Sequence, residues 1–177
     1  TPSGSGSGTG QANIGFSMQV PQLPPYYNDN VTAPNNGFPL QITTGQRGQH
    51  LIAGGSVTGA PSGTLDIIWI KTTPSATRTF TNLSVGLQQV GSMAASAYTG
   101  GTFTNIFNGG ASYVATSNAD GWLALPLTTS YAINPALPYV IDIEQCGSTG
   151  GAMSTCLSSA AGINRTYSAL TACPQAY

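Results

Sequence analysis

Apolar and polar positions begin to alternate after the opening TPSGSGSGTG. In ANIGFSMQV, Ile14, Phe16, Met18 and Val20 interleave with Asn13, Gly15, Ser17 and Gln19. Period two is the pattern of a strand with one buried face. PQLPP ends it, because proline brings no donor to a ladder. YYNDNVTAPNNG then reads as a long surface excursion, and FPLQI as a short strand ended by TTGQRG.

The middle of the chain repeats the signal. TLDIIWIK sets Leu65, Ile67 and Trp69 on one face and Asp66, Ile68 and Ile70 on the other, so both faces are partly covered. FTNLSVGLQQV alternates through Leu83, Val85 and Leu87, and GGTFTNIFNGG reads as a short strand and turn. WLALPLTT carries a proline, which places it at an edge or a strand end. YVIDIEQC is the last strong strand, and NRTYSAL closes the sheet. Only QQVGSMAASAYT could hold a helical turn, and its Gly and Ser weaken that.

Many short strands between Gly- and Pro-rich turns predict an all-β fold. The expected architecture is a two-sheet antiparallel β-sandwich, jelly-roll-like, with an N-terminal extension strand. Residues 1–11 form a flexible leader, and 12–45 a strand and long loop open to exchange between subunits. Residues 46–177 form the sandwich domain.

Charge changes the picture. The chain has four Lys or Arg and five Asp or Glu in 177 residues, 5% charged, where a globular domain has roughly 25%. The cations Arg47, Lys71, Arg78 and Arg165 are scattered, so no phosphate-tracking patch forms and nucleic acid is not an expected partner. No apolar run reaches the length of a membrane helix, so no membrane insertion is expected either. A polar surface of Gly, Ser, Thr, Asn and Gln suits an extracellular protein, or one that packs against its own copies.

Candidate chemistry is sparse. His50 is the sole histidine and has no local nucleophile or carboxylate to tune it. Asp142 and Glu144 share a strand face and read as an outward polar surface opposite Ile141 and Ile143. Use of that pair in glycoside hydrolysis, with Asp66 across the sheet, has no motif behind it. Asn28, Asp29 and Asn30 read as an Asx-turn rather than a calcium loop, and Asn118, Asp120 and Gly121 as another turn. GSGSG, GGAS and GSTGG lack the lysine and the strand–helix context of a phosphate loop. No cofactor, metal or catalytic residue is expected.

Two kinds of side chain remain. Among the rings, Tyr26, Tyr27 and Trp122 are the best positions for glycan stacking, while Trp69 sits inside an apolar strand. Among Cys146, Cys156 and Cys173, a Cys146–Cys156 bridge would pin the GSTGGAMST loop, and Cys156–Cys173 would tie down the tail. The first is favoured. Asn30, Asn82 and Asn164 head N-x-S/T sequons.

The order of QRGQHLIAGG, SGTLDIIWIK, TRTFTNLSVGLQQV, GWLALPLTTSYAINPALPYVIDIEQC and NRTYSAL resembles the β-sandwich modules of secreted, cell-surface proteins of Bacteroidota. The resemblance spans residues 46–170. It implies a module carried within longer chains whose adhesion, enzymatic or sorting regions lie elsewhere, so no active site transfers. The front section, residues 1–45, departs from that pattern.

These readings lead to an expectation of a non-enzymatic, secreted structural subunit of an extracellular filament or cell-surface assembly. It would be a homo-oligomer or polymer joined by addition of the strand at Ile14, Phe16, Met18 and Val20, the other reading of that strand being that it completes its own chain's sheet. The alternative is a carbohydrate-binding or adhesive module that takes a surface glycan.

Overall fold

The computed structural model describes residues 31–36, 39–57, 59–90, 102–158, 165–169 and 173. The described residues are all-β and contain no helix. None therefore forms a helix long and apolar enough to cross a membrane.

The hub is β9 (Tyr139–Gly150), the YVIDIEQC strand extended by four residues to Gly150. Along one edge it pairs with β2 (Thr44–Ile52), from Ile52 opposite Tyr139 to Thr44 opposite Gly147. Along the other edge lie β4 (Thr77–Thr81) and β5 (Ser84–Gln89), end to end. β11 (Arg165–Ala169) pairs with β2, β7 (Tyr113–Thr116) with β4, and β6 (Thr104–Asn108) with β5. Together they make a seven-stranded antiparallel sheet.

The sheet curls where FTNLSVGLQQV was expected to run as one strand. Asn82 adopts a positive φ of 50°, which breaks the run into β4 and β5. The ladder against β9 keeps its register through the break, with Thr81 opposite Gly147 and Ser84 opposite Glu144. The turn between β6 and β7 follows the bend: the Asn82 amide donates to the Gly110 carbonyl and the Gly109 amide to the Leu83 carbonyl. Gly109 is required there, since a Cβ would stand 2.7 Å from that of Tyr113.

A separate ribbon pairs β3 (Gly63–Lys71) with β8 (Trp122–Ile133). Between the pairs Ile67–Pro126 and Leu65–Tyr131, Asp66 alone opposes Leu127–Ser130. Pro126 falls where the ladder breaks, as a residue without a donor should. A third pair joins β1 (Val31–Asn36) to β10 (Thr155–Ser158).

One core unites sheet and ribbon. Phe80, Leu83, Val85, Leu87, Ile106 and Ile143 of the sheet pack with Ile68, Leu123 and Leu125 of the ribbon. Each such side chain contributes roughly 1.5–3 kcal/mol on burial. Both faces of TLDIIWIK are partly covered, as expected, with Ile68 buried and Leu65, Ile67, Trp69 and Ile70 half-buried. The irregularity at Asp66, however, brings Leu65 onto the same core as Ile68 and Ile70. A smaller cluster of Leu51, Phe103 and Val140 covers part of the sheet's other face.

Two expectations about local structure are corrected. FPLQI is not a strand, for Pro39–Gln41 is a turn, and the supposed terminator TTGQRG opens the central strand β2 instead. The reason is that β2 buries the polar side chains of Gln46, Arg47 and Gln49, so an apolar alternation is absent. The assembly strand with Ile14, Phe16, Met18 and Val20 lies outside the described residues, as does most of QQVGSMAASAYT.

Candidate functional site

The second face of the sheet holds a buried polar cluster. Side chains at Val140, Asp142, Glu144 and Cys146 alternate onto this face of β9, and Leu51, Gln49 and Arg47 stand opposite the first three on β2. On β5, Gly86 stands opposite Asp142, and Phe103 packs over the space its missing side chain leaves. Asp142 and Gln49 have no solvent exposure, Glu144 has 1% and Arg47 6%. The outward polar surface expected for Asp142 and Glu144 is therefore corrected. They do oppose Ile143, but both are buried rather than facing solvent.

Asp142 organises the cluster. The Arg47 Nε donates to both its carboxylate oxygens at 3.1 and 3.0 Å, and Arg47 Nη2 lies 2.9 Å from Oδ2. Gln49 Nε2 donates to Oδ2 at 2.5 Å. Burial pushes the Asp142 carboxyl above the ordinary carboxylate range, and the hydrogen bonds from Arg47 and Gln49 with the Arg47 charge offset part of that rise. Closed off in this way, Asp142 and Glu144 cannot touch a glycosidic bond, so the hydrolytic use considered for them has no geometric support.

The cysteine pairing is also corrected. Cys146 is bonded to Cys173, with Cα atoms 5.4 Å apart, and not to Cys156. Register explains the choice. Ala169 of β11 pairs with Gln46, and Gln46 pairs with Gln145, so the chain leaving β11 is delivered beside Cys146. Cys156 is taken into β10, where its backbone pairs with Pro34. Cys173 Sγ lies 3.7 Å from Glu144 Oε1, which places the disulfide at the end of the polar cluster.

Two further polar side chains act as clamps. Arg78 donates from Nε to Ser148 Oγ, from Nη1 to the Gly151 carbonyl and from Nη2 to the Gln41 carbonyl, which ties the end of β9 to the turn before β2. Gln145 Nε2 donates to the carbonyls of Pro39, Ile42 and Thr44 and holds the same turn. Neither was anticipated. A lone Arg or Gln in a strand pattern looks like a solvated face until the packing shows the carbonyls it satisfies.

The remaining expected positions are dispersed. Trp122, a candidate glycan ring, is 8% exposed, and the Lys71 ammonium sits 4.8 Å over it. Its place at the start of β8 turns it inward, so it offers no stacking face. Tyr26 and Tyr27, with Asn28, Asp29 and Asn30, lie outside the described residues. His50 is half-buried on β2 opposite Ile141. The turn at Asn118 forms as expected: its Oδ1 accepts the amides of Asp120 and Trp122. GGAS makes the β6–β7 turn, and GSTGG ends β9.

Comparison of the chain with protein-family models, curated proteins and solved structures finds no match.

Proposed function

We propose that this chain is a structural subunit of an extracellular filament or cell-surface assembly, without enzymatic activity. Its body, on this reading, is a two-sheet jelly-roll-like sandwich in which the β3–β8 ribbon serves as the second layer over the curled sheet. The supporting observation is where the few charges go. Arg47, Arg78, Asp142 and Glu144 are buried. The described surface is left with Asp66 and Asp120 exposed and Lys71 half-exposed. Close packing of like chains strips water from whatever lies at the contact, and unpaired ions there cost several kcal/mol each. A surface of hydroxyls and amides avoids that cost when its hydrogen bonds are met.

Strand addition gives such a subunit a way to join. Among the described strands β7 ends the sheet path, carries no charge and exposes Val114 to 60%. Such an edge is a template for a strand from another copy, and the segment at residues 12–20 has the alternation to supply it. Head-to-tail addition does not close on itself and so builds a filament. The Cys146–Cys173 bond supports an oxidising compartment. Negative-stain electron microscopy and light scattering of the full chain test the reading. Ordered polymers that vanish on deleting residues 1–20 are expected, and a chain that stays monomeric at high concentration would reject it.

A further inference from the structure

We propose that the reduced chain holds a thiophilic divalent cation, of the zinc or cadmium type, through Cys146, Cys173 and Glu144, and that closing the disulfide expels it. This inference is independent of the assembly reading. The two Sγ atoms and a Glu144 carboxylate oxygen all lie within 4.8 Å of one another. Glu144 and Cys146 are two apart on β9 and project from the same face. Cys173 is delivered from β11 across β2, with its Sγ 3.7 Å from Glu144 Oε1.

The donor chemistry fits. Zinc takes sulfur at about 2.3 Å and carboxylate oxygen at about 2.0–2.2 Å, so tetrahedral donors stand roughly 3.5–3.8 Å apart. The Glu144 oxygen is at that spacing from Cys173 Sγ already, at 3.7 Å. The sulfurs must separate from bonding distance by less than about 2 Å. The exchange is also neutral: one divalent cation replaces two thiol protons, so a buried face that already carries Arg47, Asp142 and Glu144 gains no net charge.

The redox balance is explicit. A phosphine reductant takes an oxygen atom from water and becomes its oxide, and the S–S bond accepts two electrons and two protons. Metal binding then releases the two thiol protons. A disulfide oxidant withdraws two electrons from the thiolates, re-forms the Cys146–Cys173 bond and frees the cation.

The test titrates Cd²⁺ into full-length chain, oxidised or phosphine-reduced, and reads thiolate-to-cadmium charge-transfer absorption with near-ultraviolet circular dichroism as a check of fold. One Cd²⁺ per reduced chain and none per oxidised chain are expected. Cys156→Ser should change neither result. Glu144→Gln should keep the absorption band while weakening binding about tenfold or more, and it needs no cysteine to be removed. Absence of stoichiometric binding in the folded reduced chain would overturn the proposal. So would binding that survives Cys173→Ser but is lost in Cys156→Ser, or equal affinity in wild type and Glu144→Gln.

Discussion

Arg47 and Glu144 stand directly opposite each other on β2 and β9, yet the Arg47 guanidinium lies on Asp142, one position along the same face. The diagonal reach lets one cation and the Gln49 amide hold a carboxylate that has no access to water. It leaves Glu144 beside the disulfide.

Breaking that pair should be costly. Arg47→Leu is expected to lose about 3–5 kcal/mol in urea unfolding, because Asp142 keeps a buried charge without its cation. Arg47→Leu combined with Asp142→Leu should recover most of the loss. Equal stability of the single and double variants would show that the ion pair does not govern this face.

Asp142 should also make stability depend on pH in an unusual direction. Burial raises its carboxyl above the ordinary value of 3.8, so the folded chain binds that proton more tightly than the unfolded chain. Stability from this group is therefore greatest below the ordinary value and falls as pH rises through the raised one. Asp142→Asn should flatten that part of the profile in denaturant midpoints taken from pH 3 upward.

Tyr139 should act the same way at alkaline pH. Its hydroxyl is pushed up from 10.0 to about 12 by burial. Between those values the folded chain holds the proton that the unfolded chain gives up, so stability should fall by about 2–3 kcal/mol as pH rises. The loss should be absent in Tyr139→Phe, measured by the same unfolding series.

The disulfide closes a loop with a sequence separation of 27. Chain entropy assigns about 3–4 kcal/mol to a loop of that size. Cys173→Ala should lose roughly that much, and non-reducing peptide mapping should recover the Cys146 and Cys173 peptides joined. A Cys146–Cys156 crosslink would reverse the assignment.

Two glycines of similar conformation should differ in tolerance. Gly55 and Gly121 have φ of 76° and 81°, but a Cβ on Gly55 meets nothing within 4 Å, whereas one on Gly121 would stand 2.5 Å from the Thr72 carbonyl oxygen. Gly55→Ala should cost about 1 kcal/mol from backbone conformation alone. Gly121→Ala should cost at least twice as much by thermal unfolding, since a backbone must shift.

The all-β class and the strands around Trp69, Ile106, Ile143 and Tyr167 were legible in the linear pattern, because alternation reports directly which side chains meet an apolar neighbour. The turn at Asn118 was legible because Asx hydrogen bonds are local. β2 was not, since its buried Gln46, Arg47 and Gln49 look solvent-facing to any test that counts apolar residues. Nor was the break at Asn82 read from the sequence, although the buried apolar positions change phase there, from Phe80 to Leu83.

The sequence by itself therefore determined the class of fold, the scarcity of charge and the positions of most strands. Only the tertiary structure decided which charges are buried, which cysteine Cys146 takes, and that Trp122 turns inward. The physical reason is range. Strand periodicity and turn chemistry act over a few residues. The meeting of Arg47 with Asp142, or of Cys146 with Cys173, depends on the register of strands far apart in the chain.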